Sequence, residues 1–254
     1  MKTIALLNQK GGVGKSTTVV NLMDYFTRVG KRVLGIDIDS QGHLTKQCSI
    51  NTSNENTILE LLLEKATFDE TVKKTRFGDV IPADGNLQLA LSQFAQLPDF
   101  MYRVKEILEE QENKYDVVIF DCPPSINIVS SATLVASDYV IIPSEVEYFS
   151  LDGVVELANT IKRVQKRTNP TLKVLGILLV KYNPRRKLTL AFEEHLATKG
   201  KELFSADIIP VKIRYTVDIP VSQAQKQSIF EYKPKSAVAQ EYKSLGDYIA
   251  GEIE

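Results

Sequence analysis

Short apolar runs alternate with segments of helical spacing from one end of the chain to the other. Thr3–Leu7, Lys31–Asp39, Tyr115–Asp121, Tyr139–Pro143, Val174–Val180 and Ala206–Ile209 read as strands, and runs as continuous as Tyr115–Asp121 suit a central parallel strand covered on both faces. Between them Thr18–Phe26, Ile58–Lys65, Phe100–Glu112, Ser125–Ala136, Leu151–Arg167 and Leu188–Thr198 read as helices. A last helix is predicted over Ser236–Ile253, because Val238, Tyr242, Leu245 and Ile249 recur on one helical face. Strands that alternate with helices need crossover connections. The predicted fold is therefore α/β and doubly wound, a mostly parallel sheet flanked by helices. The stretch from Cys48 to Asn113 is the least regular, and no repeat, low-complexity tract or linker divides residues 1–254, which predicts a single domain.

Composition narrows the picture. A chain of 254 residues with 43% hydrophobic and 25% charged residues can bury an ordinary globular core. The formal net charge of -1 means that contact with a polyanion must come from a local patch. Cys48 and Cys122 show neither a CxxC pair nor metal-type spacing, so no disulfide is expected and a reducing cytoplasm is the default. The N-terminus enters a strand directly, without a signal peptide, and no apolar run approaches the ~18 residues of a membrane span.

The candidate chemistry begins where the first predicted strand ends. Lys10–Thr17 reads KGGVGKST and leads straight into a predicted helix, the context a phosphate-binding loop requires. Gly11, Gly12 and Gly14, with Val13 between them, allow a tight turn that presents backbone N–H groups inward, next to the positive end of the helix. Lys15 is then placed to neutralise β- and γ-phosphate charge, the Ser16 hydroxyl is a natural Mg²⁺ ligand, and Thr17 completes the cradle. Ligands in doubly wound sheets bind beyond the carboxyl ends of the strands, and Asp39 and Asp121 also follow strand ends. Asp121 fits the acid that holds Mg²⁺ through water, and Asp39 fits the group that orients an attacking water. Asp37 reads as a buried acid bonded to the phosphate loop or to metal-bound waters.

Gln9 stands where the first glycine of the common G-x-x-x-x-G-K-[ST] pattern would fall, and a second cation, Lys10, follows it. In this the sequence resembles the deviant Walker A ATPases, the family of the ParA and Soj partition proteins, MinD and nitrogenase iron protein. Asp37–His43 is similar to that family's D-x-D-P-Q-G-N, with Ser40 for proline and His43 for asparagine. Tyr115–Ser125, Ile141–Gly153 and the Ile209–Pro210 region resemble Soj and ParA segments, so the likeness spans nearly the whole chain. The resemblance implies ATP and Mg²⁺ as cofactors, a base site near Pro210 and Lys212, and Lys10 acting in trans across an ATP-sandwich homodimer. It also implies slow hydrolysis by Lys10, Lys15 and Asp39, stimulated by a ParB-like adaptor bound to DNA.

One further pattern concerns charge. Between Glu156 and Glu193 there is no acidic residue, whereas Lys162, Arg163, Lys166, Arg167, Lys173, Lys181, Arg185, Arg186 and Lys187 fall there. Such segregation is the footprint of a polyanion partner, with contacts to phosphate because no base-reading motif is present. The resemblance places Arg185 and Arg214 at positions where Soj-like proteins bind DNA without sequence preference, and Arg186 adjoins them. The expected function is an ATP-dependent, dimeric, DNA-binding switch in plasmid or chromosome segregation, cytoplasmic and nucleoid-associated, with no membrane partner. The alternative is a MinD-like membrane-positioning ATPase. That reading calls for a basic amphipathic C-terminal helix, but the tail ends acidic at Glu252 and Glu254.

Overall fold

Apolar runs covered on both faces pack as neighbouring parallel strands, and the computed structural model, which describes residues 1–145, 151–185 and 187–254, arranges them so. The strands are β1 (Lys2–Leu6), β2 (Val33–Asp37), β3 (Lys73–Thr75), β4 (Gly78–Ile81), β5 (Val117–Asp121), β6 (Tyr139–Glu145) and β7 (Lys173–Val180). They form one seven-stranded sheet in the order β3-β4-β2-β5-β1-β6-β7. Every neighbouring pair is parallel except the β3–β4 hairpin at one edge. β1 lies between β5 and β6, so the chain winds to both sides of it. The crevice at its carboxyl end is a topological switch point, where such sheets bind ligands.

Alternation along the central strands feeds two cores. Ile4, Leu6, Ile119 and Ile141 face the helices Lys15–Arg28 and Ala237–Ile253. Ala5, Leu7, Phe120 and Ile142 face Phe100–Glu109, Ile128–Val135 and Leu151–Arg167. The C-terminal helix is capped by Ser236, whose hydroxyl accepts from the Ala239 N–H at 3.2 Å. It buries Val238, Tyr242, Leu245 and Ile249 as predicted, together with Ile253. The face that a membrane-lying helix would give to a bilayer is thus packed on the protein core. Among the described residues no helix is long and apolar enough to cross a membrane.

Gly246 explains how closely this helix docks. A Cβ there would come within 2.3 Å of the Tyr25 ring, whose hydroxyl donates to Asp247 at 2.6 Å. Gly246→Ala is therefore expected to destabilise the protein by about 1–3 kcal/mol, the usual range for overpacking. A melting temperature within 1 °C of wild type would contradict this contact.

Element ends depart from the sequence pattern for local reasons. The helix expected from Ser125 begins at Ile128, because the Asn127 side chain caps it by accepting from the Ser130 N–H at 2.9 Å. Ile58–Leu62 and Phe100–Glu109 stop short of their expected ends, whereas Lys187–Phe204 runs past Thr198. The strand expected over Ala206–Ile209 is reduced to a single parallel bridge between Ile177 and Ile208. Ile209 and Ile213 still donate to the Ile177 and Leu179 carbonyls at 2.9 and 2.8 Å, so this segment runs beside β7, but Pro210 has no N–H with which to extend a ladder.

Candidate functional site

The ends of β1, β2 and β5 bring the loop and the acids together. The register sets Leu6 against Asp121 and Asp121 against Asp37, so the loop that follows β1 starts beside Asp121, with Asp37 one strand further on. Gly12 and Gly14 adopt left-handed φ values of 77° and 74°, which the turn requires and which glycine adopts without steric cost. The helix that begins at Lys15 aims its N-terminus into a cleft of about 580 Å³. Gly11, Gly12, Gly14, Lys15, Ser16, Thr17 and Asp39 line one side of it.

Lys15 is buried, and its Nζ donates to the carbonyls of Asn8 at 3.1 Å and Lys10 at 3.3 Å, folded beneath its own loop. Burial lowers its pKa, an effect opposed by the charges of Asp121, Cys122 and Asp39. Lys10 projects on the exposed side of the same loop. One loop therefore presents one lysine inward and one outward.

The three acids separate by environment. Asp37 is fully buried and accepts from the Thr45 N–H at 2.9 Å, the Thr45 hydroxyl at 2.7 Å and the Asp39 N–H at 3.1 Å. Burial pushes its pKa up to about 7 against those hydrogen bonds. Of the two expectations for Asp37, a bond to the phosphate loop or to metal-bound waters, the first is corrected: its partners brace the turn after β2, and Thr45 carries that brace on to the Ala83 N–H at 2.9 Å. Asp39 lines the cleft, and its Oδ1 accepts from the Gln41 N–H at 3.0 Å. Asp121 is buried with both carboxylate oxygens lacking a hydrogen-bond partner. Burial raises its pKa, as does the charge of Asp37, while the neighbouring Ser16 hydroxyl and the Lys15 charge oppose the shift.

Two orphaned carboxylate oxygens, with the Ser16 hydroxyl and the Lys15 charge beside them, fit a hard divalent cation held by few protein ligands. The Thr17 hydroxyl accepts from Gln223 Nε2 at 2.7 Å. Groups of three or more His, Cys, Asp or Glu arranged for a metal ion do not occur among the described residues. Cys122 is buried beside Asp121, with its thiol pKa raised by burial.

Other expected site residues fall elsewhere. Pro210 and Lys212 do not line the cleft. Lys212 pairs with Glu193 and lies 4.6 Å from the centre of the Tyr182 ring, because the 209–213 segment turns Ile209 and Ile213 inward along β7. The apolar wall of the cleft is made instead by Val180, Ile213, Ile219 and Pro220. Arg214 lines the rim, with Nε 2.5 Å from Glu241. A parallel bridge sets it against Tyr182, which brings it to the same edge as the exposed Arg185. Arg186 lies outside the described residues. Sequence reasoning missed Lys181, Gln223 and Tyr242, all of which line the cleft. Lys181 alone carried a signal, since it directly follows a strand end.

A glycine-rich strand-to-helix loop with a buried lysine and an orphaned acid at a switch point defines the P-loop nucleotide-binding class. The chain belongs to the AAA domain family (AAA_31), whose pattern it matches over residues 1–174. It is 35% identical over 254 residues to the sporulation initiation inhibitor protein Soj of Bacillus subtilis, covering 98% of each chain. It is 32% identical to the chromosome partitioning protein ParA of Caulobacter vibrioides, covering 96% of this chain and 92% of that one. The fold is similar to that of cobyrinic acid a,c-diamide synthase from Mycobacterium smegmatis, solved with ADP and magnesium, at a TM-score of 0.86 and 29% identity. That alignment covers 98% of this chain and 94% of the other.

Proposed function

We propose that this chain is a partition ATPase of the ParA and Soj kind, which hydrolyses ATP with Mg²⁺ and couples nucleotide state to dimerisation and to non-specific DNA binding. The observation that carries the reading is that Lys15, Ser16 and Asp39 line one cleft with Asp121 buried beside Lys15 and Ser16, in a chain similar to Soj over 98% of its length. In this reading Lys15 would leave the Asn8 and Lys10 carbonyls for the β- and γ-phosphates, and Ser16 and Asp121 would hold a Mg²⁺ ion that supplies further charge neutralisation. Asp39 orients the attacking water, and the Ile213, Ile219 and Pro220 wall seats the purine. Lys10, on the outward side of the loop, reaches a partner's nucleotide. Exposed Tyr215 and Val217, close in sequence to the cleft rim, add apolar surface for that partner to cover.

DNA would meet Arg185 and Arg214 beyond the carboxyl end of β7, whereas the exposed Lys166 and Arg167 close the preceding helix toward the opposite end of the sheet. Pairing of two copies doubles this surface, so ATP governs affinity. A DNA-bound adaptor would stimulate turnover, and the dimer would associate with the nucleoid through DNA alone.

Binding of one duplex at two salt concentrations, with ATP, ADP and no nucleotide, tests this. Tight binding is expected with ATP only. The double change Arg185→Ala and Arg214→Ala should weaken every sequence alike and reduce the salt slope by about one per lost contact. DNA affinity indifferent to ATP, or a salt slope unchanged in the variant, would contradict the proposal.

A further inference from the structure

Lys181 stands outside the machinery described so far, yet it touches the phosphate loop. It directly follows β7 and has a left-handed φ of 50°, a conformation lysine rarely adopts. After it the chain resumes pairing, with the Tyr182 N–H donating to the Ile213 carbonyl at 2.9 Å. The turn brings the Lys181 side chain over the loop, where Nζ donates to the Gly12 carbonyl at 2.9 Å. The same Nζ forms an ion pair with Glu145, the last residue of β6. Glu145 is the fixed end of that pair, its side chain 11% exposed against 48% for Lys181.

Apart from the buried Val13 and the Lys10 N–H, which donates to Asn8 Oδ1 at 3.0 Å, the loop is lightly packed. A Cβ built on Gly11, Gly12 or Gly14 would meet nothing within 4 Å, so the glycine backbone is not packed against side chains. Its shape depends on hydrogen bonds, from Lys15 to the Asn8 and Lys10 carbonyls and from Lys181 to Gly12. The Gly12 carbonyl and the Val13 N–H belong to one planar peptide and point in opposite directions. Fixing the carbonyl therefore fixes a donor of the phosphate cradle.

We propose that Lys181 is a positioning residue for the nucleotide: anchored by Glu145, it pins the phosphate loop through the Gly12 carbonyl. The inference rests on the nucleotide-binding reading. It concerns the loop and not the γ-phosphate, so ADP and ATP should feel its loss alike.

Titration calorimetry of the full chain with Mg²⁺ and either ADP or a non-hydrolysable ATP analogue tests this in wild type, Lys181→Met, Lys181→Arg and Glu145→Gln. Lys181→Met should weaken both nucleotides about tenfold, the low end for a charge-assisted hydrogen bond because the side chain is half exposed. Lys181→Arg retains charge and donors and should recover to within about threefold of wild type. Glu145→Gln should fall between wild type and Lys181→Met. A loss confined to the ATP analogue would put Lys181 on the γ-phosphate and overturn the positioning role. Unchanged affinity in Lys181→Met, or a loss that arginine does not rescue, would overturn it too. A wild-type chain that binds neither nucleotide would instead remove the nucleotide reading itself.

Discussion

Alanine at Lys10 is expected to lower ATP turnover by about 10³–10⁵, the contribution of a cation supplied in trans to phosphoryl transfer. Lys15 already occupies the inner side of the loop, so a second lysine on the outer side adds little to its own phosphates. Across a dimer, however, it would meet charge developing on the partner's γ-phosphate, in a cleft closed to water, where each charge acts more strongly. The variant should stay folded, because Lys10 is exposed, and should still bind one nucleotide per chain through Lys15. It should fail to dimerise with ATP. Steady-state phosphate release together with sedimentation checks both statements, and wild-type turnover in the variant would remove Lys10 from the mechanism.

Alanine at Asp39 is expected to have an equally large effect of a different kind. Asp39 sits on the cleft wall, its Oδ1 held by the Gln41 N–H, and in the proposed reading it orients water while Ser16 and Asp121 would hold the cation. Loss of the group that positions the water should slow hydrolysis by about 10²–10⁴ while nucleotide binding persists. Dimerisation and DNA binding should therefore outlast those of the wild type. Phosphate release and the lifetime of the DNA complex after removal of free ATP separate these effects. A variant that leaves DNA as fast as wild type would contradict the assignment.

Much of this site was legible in the sequence because its parts are local. Lys10–Thr17 carries its own turn chemistry, and Asp39 and Asp121 are marked by the strands they follow. The two-sided strands and the C-terminal helix were equally legible from their apolar periods. The β3–β4 hairpin was not, because its residues Lys73–Thr75 and Asp79 are too polar to show a buried run. The cleft wall was also hidden. Whether Lys212 or Ile213 faces the nucleotide depends on how the 209–213 segment lies along β7, a pairing between distant parts of the chain. Asp37 and Asp121 have the same sequence signature, an acid at a strand end. Only tertiary contacts distinguish them, since Asp37 has the Thr45 N–H and hydroxyl to accept from, and Asp121 has no such partner. Lys181 looked like one more cation of a basic stretch until the β7 turn set it against Gly12.

The central claim is that the nucleotide is shared between two chains, so its state sets how many stand together. Sedimentation velocity of the purified protein in Mg²⁺, with a non-hydrolysable ATP analogue and then with ADP, tests it most directly. A dimer with the analogue and a monomer with ADP is the predicted result. A chain that remains monomeric at saturating analogue would contradict the account.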